Sequence, residues 1–343
     1  MAAPEPMIEI RGVHKSFHRG RLSERIPLVR TAAPAEVLNG VDLDVHQGEL
    51  VALLGLNGSG KTTILRTVAT LLSPDSGTVR VCGLDVETHA AQVRNLVGYV
   101  LADERSFYWR LSARDNLEFF ASLDRLHGQA ARSRIDHLLS RLDLLKDADL
   151  PVGTFSTGMK QRLAIARGLL KRPRVLLLDE PTRSIDSVHA GEVWRLVREE
   201  LEENAGSLLV VTHQIQEALS VCSRVAILAD GQIALSTSSA MMERYTVDRA
   251  GFTVSVRGLE PDHLEVLRRC DGVLEVRLDS QVAGEQFLAI RTRDDEAPLA
   301  GVIGRITEMG GTVCSLKRAA PLQGVVESLL ARREGAPEAQ HES

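Results

Sequence analysis

Apolar and polar residues alternate along 7–17 (MIEIRGVHKSF), the period of a strand with one buried face. The alternation resumes at 37–45 and ends at Gly48. Residues 50–54 (LVALL) are apolar throughout, as a strand is when both faces of its sheet are covered. Further short apolar strands are predicted at 79–82, 97–101, 175–178 and 208–211, and a helix from Thr62 to about Leu72. From 111 to 145 the period turns helical, with Leu117, Phe120, Leu123 and then Ile135, Leu138, Leu139 and Leu142 at helical spacing. A helix at 189–203 separates two of the apolar strands. That strand–helix–strand order implies a parallel sheet and an α/β fold.

Beyond about Tyr245 the rhythm changes. Strands are predicted at 252–256, 273–278, 287–291 and 312–316, and helices at 261–270 and 298–309. Their order, βαββαβ, is that of a ferredoxin-like domain. The expected domains are therefore 7–240 and 248–333, with a disordered tail at 334–343. A length of 343 residues suits two domains, and 44% apolar residues suffice for their cores.

Net charge of −5 and only 3% aromatic residues argue against nucleic acid as a partner. Cys82, Cys222, Cys270 and Cys314 are scattered without CxxC spacing, which fits reduced thiols in a cytoplasmic protein. The N-terminal residues lack the basic-then-apolar pattern of a signal peptide. Nowhere do about 18 apolar residues run together, so no spanning helix is expected.

Chemistry first shows at 55–63 (GLNGSGKTT), between a predicted strand and a predicted helix. Gly55, Gly60, Lys61 and Thr62 satisfy G-x-x-x-x-G-K-[ST], the loop that cradles nucleotide phosphates. Gly55, Gly58 and Gly60 let the backbone N–H groups of the loop, with Asn57 and Ser59 among them, curl around the phosphates where a β-carbon would clash. Lys61 is placed to neutralise the β- and γ-phosphates, and the Thr62 hydroxyl to bind Mg²⁺, with Thr63 beside it. The strand at 175–178 ends in Asp179 and Glu180: the first suits Mg²⁺, the second the attacking water as general base. His213 ends the next strand, where it can orient that water. ATP hydrolysis with Mg²⁺ is the expected activity.

Residues 155–163 (FSTGMKQRL) resemble the signature motif of ABC ATPases and precede the acidic strand, as in that family. The phosphate loop, the DEP-T sequence at 179–182, Ser184-Ile-Asp186 and His213 complete an ordered set of motifs spanning 7 to about 240. The resemblance implies an α/β P-loop ABC ATPase domain with a helical subdomain at about 103–165. It also implies that Ser156, Gly158 and Asp186 serve the nucleotide held by a second copy, so a homodimer is expected. Phe17 matches the aromatic that stacks on adenine; the alternative is a core phenylalanine.

The FSTGMKQR form looks most like type-2 exporters, the daunorubicin-resistance and sodium-extrusion branch. Export through a separate multi-spanning permease, with the ATPase peripheral on the cytoplasmic membrane face, is what that likeness implies. An importer's ATPase or a soluble ABC ATPase is the alternative. The glutamine expected after 98–101 is missing; Asp103 falls at its place, or Ala102 if counted forward, and a carboxylate there could still ligate Mg²⁺. Phe107, Tyr108 and Trp109 follow, either gripping a permease helix or filling the subdomain's own core together with Phe119 and Phe120. The basic stretch 18–36 (Arg19, Arg21, Arg25, Arg30) reads as a solvated loop, or as a surface for lipid headgroups or the permease. The C-terminal domain suggests dimer contact or regulation rather than ligand sensing.

Overall fold

A computed structural model describes residues 6–17, 34–101, 107–242, 251–260, 262–282, 285–293 and 297–318. Asp103, most of the basic stretch and the tail at 334–343 lie outside them. Residues Met1–Ser239 and Ala240–Ser343 form two units.

The first unit opens with β1 (Pro6–Phe17) and β2 (Ala35–His46), followed by β3 (Leu50–Leu54), the glycine loop and α1 (Lys61–Val68). Next come β4 (Ser76–Val81), β5 (Leu84–Asp85), α2 (Ala90–Leu96) and β6 (Val97–Val100). Three helices follow, α3 (Ala113–Leu123), α4 (Gly128–Arg141) and α5 (Thr157–Leu169). The chain then returns through β7 (Val175–Asp179), α6 (Ser187–Glu203), β8 (Ser207–Val211), α7 (Ile215–Val221), β9 (Arg224–Ala229) and β10 (Gln232–Ser238).

Two sheets result. One is antiparallel, ordered β2-β1-β4-β5; the other is ordered β10-β9-β3-β8-β7-β6 and is parallel except for β10. β7 and β8 are buried at every position, which explains their unbroken apolar runs. The sheets share a core in which Ile8, Ile10, Leu38 and Val41 meet Leu53, Ile64, Leu65, Leu177 and Leu209. Each fully buried leucine or isoleucine there contributes about 2 kcal/mol by leaving water. The phosphate loop thus springs from a strand clamped between two neighbours and a helix packed into the core.

Differences from the predicted elements have local causes. α1 stops at Val68 rather than near Leu72, because Thr70 turns left-handed (φ 62°). The N–H groups of Thr70 and Leu71 then return to the carbonyls of Thr67 and Arg66, closing the helix end. The stretch 111–145 is two helices, the first started by Ser112, whose hydroxyl accepts from Asp115 N–H while the Asp115 carboxylate accepts from Ser112 N–H. β9 and β10 escape the sequence reading, although the apolar run at 225–229 is the signal by which the first could be found.

Among the helices, the aromatic group divides. Phe107 is buried, edge-on to Phe120 at 6.1 Å, and the Arg167 guanidinium lies 5.2 and 4.9 Å from the two ring centres. Tyr108 and Trp109 are 50% and 57% exposed, and Phe119 joins Tyr108 at the surface at 4.9 Å. Phe107 and Phe120 therefore serve the subdomain core, whereas Tyr108, Trp109 and Phe119 form a surface patch. Lys160 of α5 lies 5.3 Å over the Trp109 ring. α4 is tied to α6 by a bidentate pair between Arg134 and the buried Glu200, at 2.6 Å for each arm.

The second unit runs β11 (Gly251–Arg257), α8 (His263–Arg268), β12 (Val273–Val282), β13 (Glu285–Thr292), α9 (Ala297–Glu308) and β14 (Thr312–Arg318). Its antiparallel sheet, ordered β12-β13-β11-β14, is the ferredoxin-like arrangement. Phe252, Val254, Val256, Leu288 and Ile290 pack beneath Leu267, Val302 and Ile306. Among the described residues no helix is long and apolar enough to cross a membrane.

Candidate functional site

Two glycines shape the loop between β3 and α1. A Cβ on Gly55 would lie 2.4 Å from the Leu228 carbonyl of β9. Gly60, which begins α1 at φ 104°, has no room either: a Cβ would lie 2.7 Å from Leu38 and 2.8 Å from the Val37 carbonyl. Asn57 and Gly58 are exposed at the crest, and Ser59, Thr62 and Thr63 are half-buried. The Ser59 hydroxyl is buried without a partner among the described residues, as a group waiting for an outside acceptor or donor would be.

Lys61 is 7% exposed, and its Nζ donates to the Gly55 and Leu56 carbonyls at 2.9 Å each. Burial holds its pKa below the usual lysine range, although the charges of Glu180 and Asp179 act the other way. The Thr62 hydroxyl donates to Asp179 Oδ2 at 3.0 Å. Burial pushes the Asp179 carboxyl up, against the Thr62 hydrogen bond, and the Glu180 charge adds to the rise. A buried carboxylate so disfavoured gains from a cation. Hydroxyl and carboxylate are hard oxygen donors, so the pair suits Mg²⁺ shared with phosphates and water. No group of three His, Cys, Asp or Glu side chains able to hold a metal exists among the described residues.

Glu180 follows Asp179 in the left-handed region, at φ 48°. A non-glycine residue there costs on the order of 1 kcal/mol or more, and the Glu180 N–H bond to the Val211 carbonyl (2.8 Å) holds it. Its Oε2 lies 2.8 Å from His213 Nδ1. A carboxylate acceptor requires the proton on Nδ1, so the neutral ring presents Nε2 as an acceptor and donates there only as imidazolium.

The structure therefore brings Lys61, Thr62, Asp179, Glu180 and His213 to one place. It holds Ser156, Gly158 and Asp186 in other company. Ser156 caps α5, its hydroxyl accepting from Met159 N–H at 3.2 Å. Gly158 lies so close to Ser184 that a Cβ would fall 2.9 Å from its carbonyl. Asp186 caps α6 through the N–H groups of Val188 and His189 and meets His189 Nδ1 at 2.6 Å. Phe17 is 40% exposed at the end of β1, with Lys15 Nζ 5.8 Å from its ring centre, which excludes the core alternative. Two residues that the motifs do not single out also matter. Asp75 pins Lys15 and Ser16, and Glu217 joins Thr182 to Trp194.

The family model described as ABC transporter matches residues 38–183. The daunorubicin resistance ATP-binding protein DrrA2 of Streptomyces coeruleorubidus is 38% identical over 68% of this chain and 72% of its own length. The ABC transporter ATP-binding protein NatA of Bacillus subtilis (strain 168) is 33% identical over 58% of this chain and 80% of its own. Among solved structures, a dimeric ATP-binding cassette in a post-hydrolysis state with ADP and Pi matches with a TM-score of 0.60 at 26% identity. It covers 68% of this chain and 99% of that one. Phosphate loop, strand-end carboxylates and relatives agree: this chain belongs to the ATP-hydrolysing, ATP-binding subunits of the ABC transporter family.

Proposed function

We propose that this chain drives export through a separate multi-spanning permease by hydrolysing ATP between two copies of itself, peripheral on the cytoplasmic membrane face. The observation that carries the reading is the convergence of Lys61, the Thr62–Asp179 pair and the Glu180–His213 pair on one loop. The relatives support the direction: one is named for daunorubicin resistance, another for Nod factor export. Lys61 leaves the loop carbonyls for the β- and γ-phosphates, and Gly55, Asn57, Gly58, Ser59, Gly60 and Thr63 surround them. Phe17 offers its exposed face to adenine. Thr62 and Asp179 would hold Mg²⁺, which offsets charge on the triphosphate when bound.

In the reaction Glu180 takes a proton from water, whose oxygen bonds to Pγ as the bridge to the β-phosphate breaks. His213, fixed by Glu180, keeps that water in line. Ser156, the Gly158 N–H and Asp186 belong to the other copy's nucleotide. The N-terminus of α5, capped by Ser156, gives that contact its physical basis. The Tyr108–Trp109–Phe119 patch receives the permease.

Glu180→Gln tests the assignment. The expected result is a stable ATP-bound dimer with turnover lowered by about two orders of magnitude or more. Wild-type turnover would remove Glu180 from the role.

A further inference from the structure

We propose that Glu217 is a positioning residue for hydrolysis: by binding Thr182 from α7, it fixes the spacing between Glu180 and His213. The proposal rests on the roles given above to those two residues.

Glu180 and Thr182 belong to one segment, the turn after β7. His213 and Glu217 belong to another, the end of β8 and the first turn of α7. Two contacts join these segments like rungs. The upper is Glu180 Oε2 to His213 Nδ1, at 2.8 Å. The lower is the Thr182 hydroxyl donating to Glu217 Oε1. Only the first involves groups that the mechanism uses. It is also the looser of the two in its surroundings, since the His213 side chain is 52% exposed. Thr182, by contrast, is 5% exposed.

The lower rung is anchored from a third side. Trp194 Nε1–H of α6 donates to the same Glu217 oxygen at 2.7 Å, and Trp194 is itself buried. Arg198, one turn further along α6, donates to the carbonyls of Ser220 and Val221 at the end of α7. α7 is only seven residues long, so it is not self-supporting; these bonds to α6 fix where it lies. Glu217 Oε2 is buried with no partner among the described residues. A half-buried carboxylate with one oxygen engaged twice and the other buried and unpaired is an expensive way to fasten two helices. A leucine would pack α7 on α6 at less cost. What a leucine cannot do is accept from Thr182, two residues after the general base.

The left-handed turn at Glu180 makes such a brace useful. Its backbone is strained and held by its own N–H bond to Val211 and a long 3.4 Å bond from Arg183 N–H, so a side-chain tether two residues later limits how far the carboxylate can wander. Loss of the tether should affect the alignment of water with Pγ and leave ground-state nucleotide binding, which depends on the phosphate loop, unchanged.

The test uses the purified full chain and measures kcat and KM for ATP in Thr182→Val, Glu217→Gln, Glu217→Ala and the Thr182→Val/Glu217→Ala pair. Thr182→Val, nearly isosteric, and Glu217→Ala are each expected to lower kcat about tenfold. KM should move by no more than about twofold. Glu217→Gln keeps an oxygen that can accept from Thr182 and Trp194, so it should recover most of kcat while melting lower. The pair should be no slower than Glu217→Ala alone, because both changes remove one contact. Should Glu217→Ala fail to fold, Thr182→Val and Glu217→Gln carry the same comparison. Wild-type kcat in Thr182→Val, a change confined to KM, or losses that simply add would each overturn the proposal. Glu180→Gln run alongside separates the two ideas: if it hydrolyses normally, the base assignment has failed, not the brace alone.

Discussion

At Lys61 burial and charge pull in opposite directions. Burial lowers its pKa, and the carboxylates of Asp179 and Glu180 raise it. A lysine in that position keeps its proton most firmly when phosphate arrives, so Lys61→Ala should abolish turnover, measured as phosphate release. Asp75 shows the same kind of reasoning at the surface. Hydrogen bonds from Lys15 and from Ser16 hold its carboxyl at about 2, below the ordinary value of 3.8. A depressed folded-state pKa contributes stability that is present above the unfolded value and lost as pH falls through the folded one. The gap in melting temperature between wild type and Asp75→Asn should therefore be full at pH 5 and close between about pH 4 and 2. A gap that persisted unchanged to pH 2 would refute the depressed pKa. Cys222 goes the other way: burial first, then the Glu217 charge, push its thiol up to about 12. Cys314 is exposed. Alkylation of the folded protein at pH 8 should label Cys314 and spare Cys222, as read by mass of the digested peptides.

The residues of the candidate phosphate site were legible because the roles proposed for them require residue types at fixed spacing. Gly55 and Gly60 stand where any Cβ would collide, and Lys61 and Thr62 must follow directly. Glu217 was not legible, since its partner Thr182 lies 35 residues away and only the fold joins them.

Among the elements, legibility follows burial. The central strands announce themselves by apolar runs, because both faces are covered, and the C-terminal βαββαβ order can be read directly. Helix ends are harder to read: the left-handed turn at Thr70 shortens α1 without a glycine to signal it. The split of the aromatic group was hidden for a related reason, since Phe107 and Trp109 are two apart in an irregular segment and point to different surroundings. Arg134 and Glu200 connect the helical region to α6 across 66 residues. Glu200→Gln would leave the Arg134 guanidinium buried and half-paired, and should cost about 3 kcal/mol of stability in denaturant unfolding. A loss under about 0.5 kcal/mol would mean that the pair is screened like a surface bridge. Trp109→Ala, in contrast, should leave the melting temperature near wild type and reduce co-purification of the permease.

For the whole molecule, the proposed mechanism has one chain supply half of each site. Lys61, Thr62, Asp179, Glu180 and His213 converge, whereas Ser156, Gly158 and Asp186 are turned to the start of α5 and α6. The resemblance of the motifs already implies a second copy, and the different partners that Ser156, Gly158 and Asp186 keep within one chain support that proposal. Mixing two defective variants tests this most directly. Lys61→Ala disables the phosphate loop, and Ser156→Glu sets a negative charge against the partner's γ-phosphate. Each should be inactive alone. Mixed in equal amounts, they form dimers in which one site combines an intact loop with an intact signature, and ATP hydrolysis should return. If the mixture stays as inactive as its components, the site is not shared between two copies.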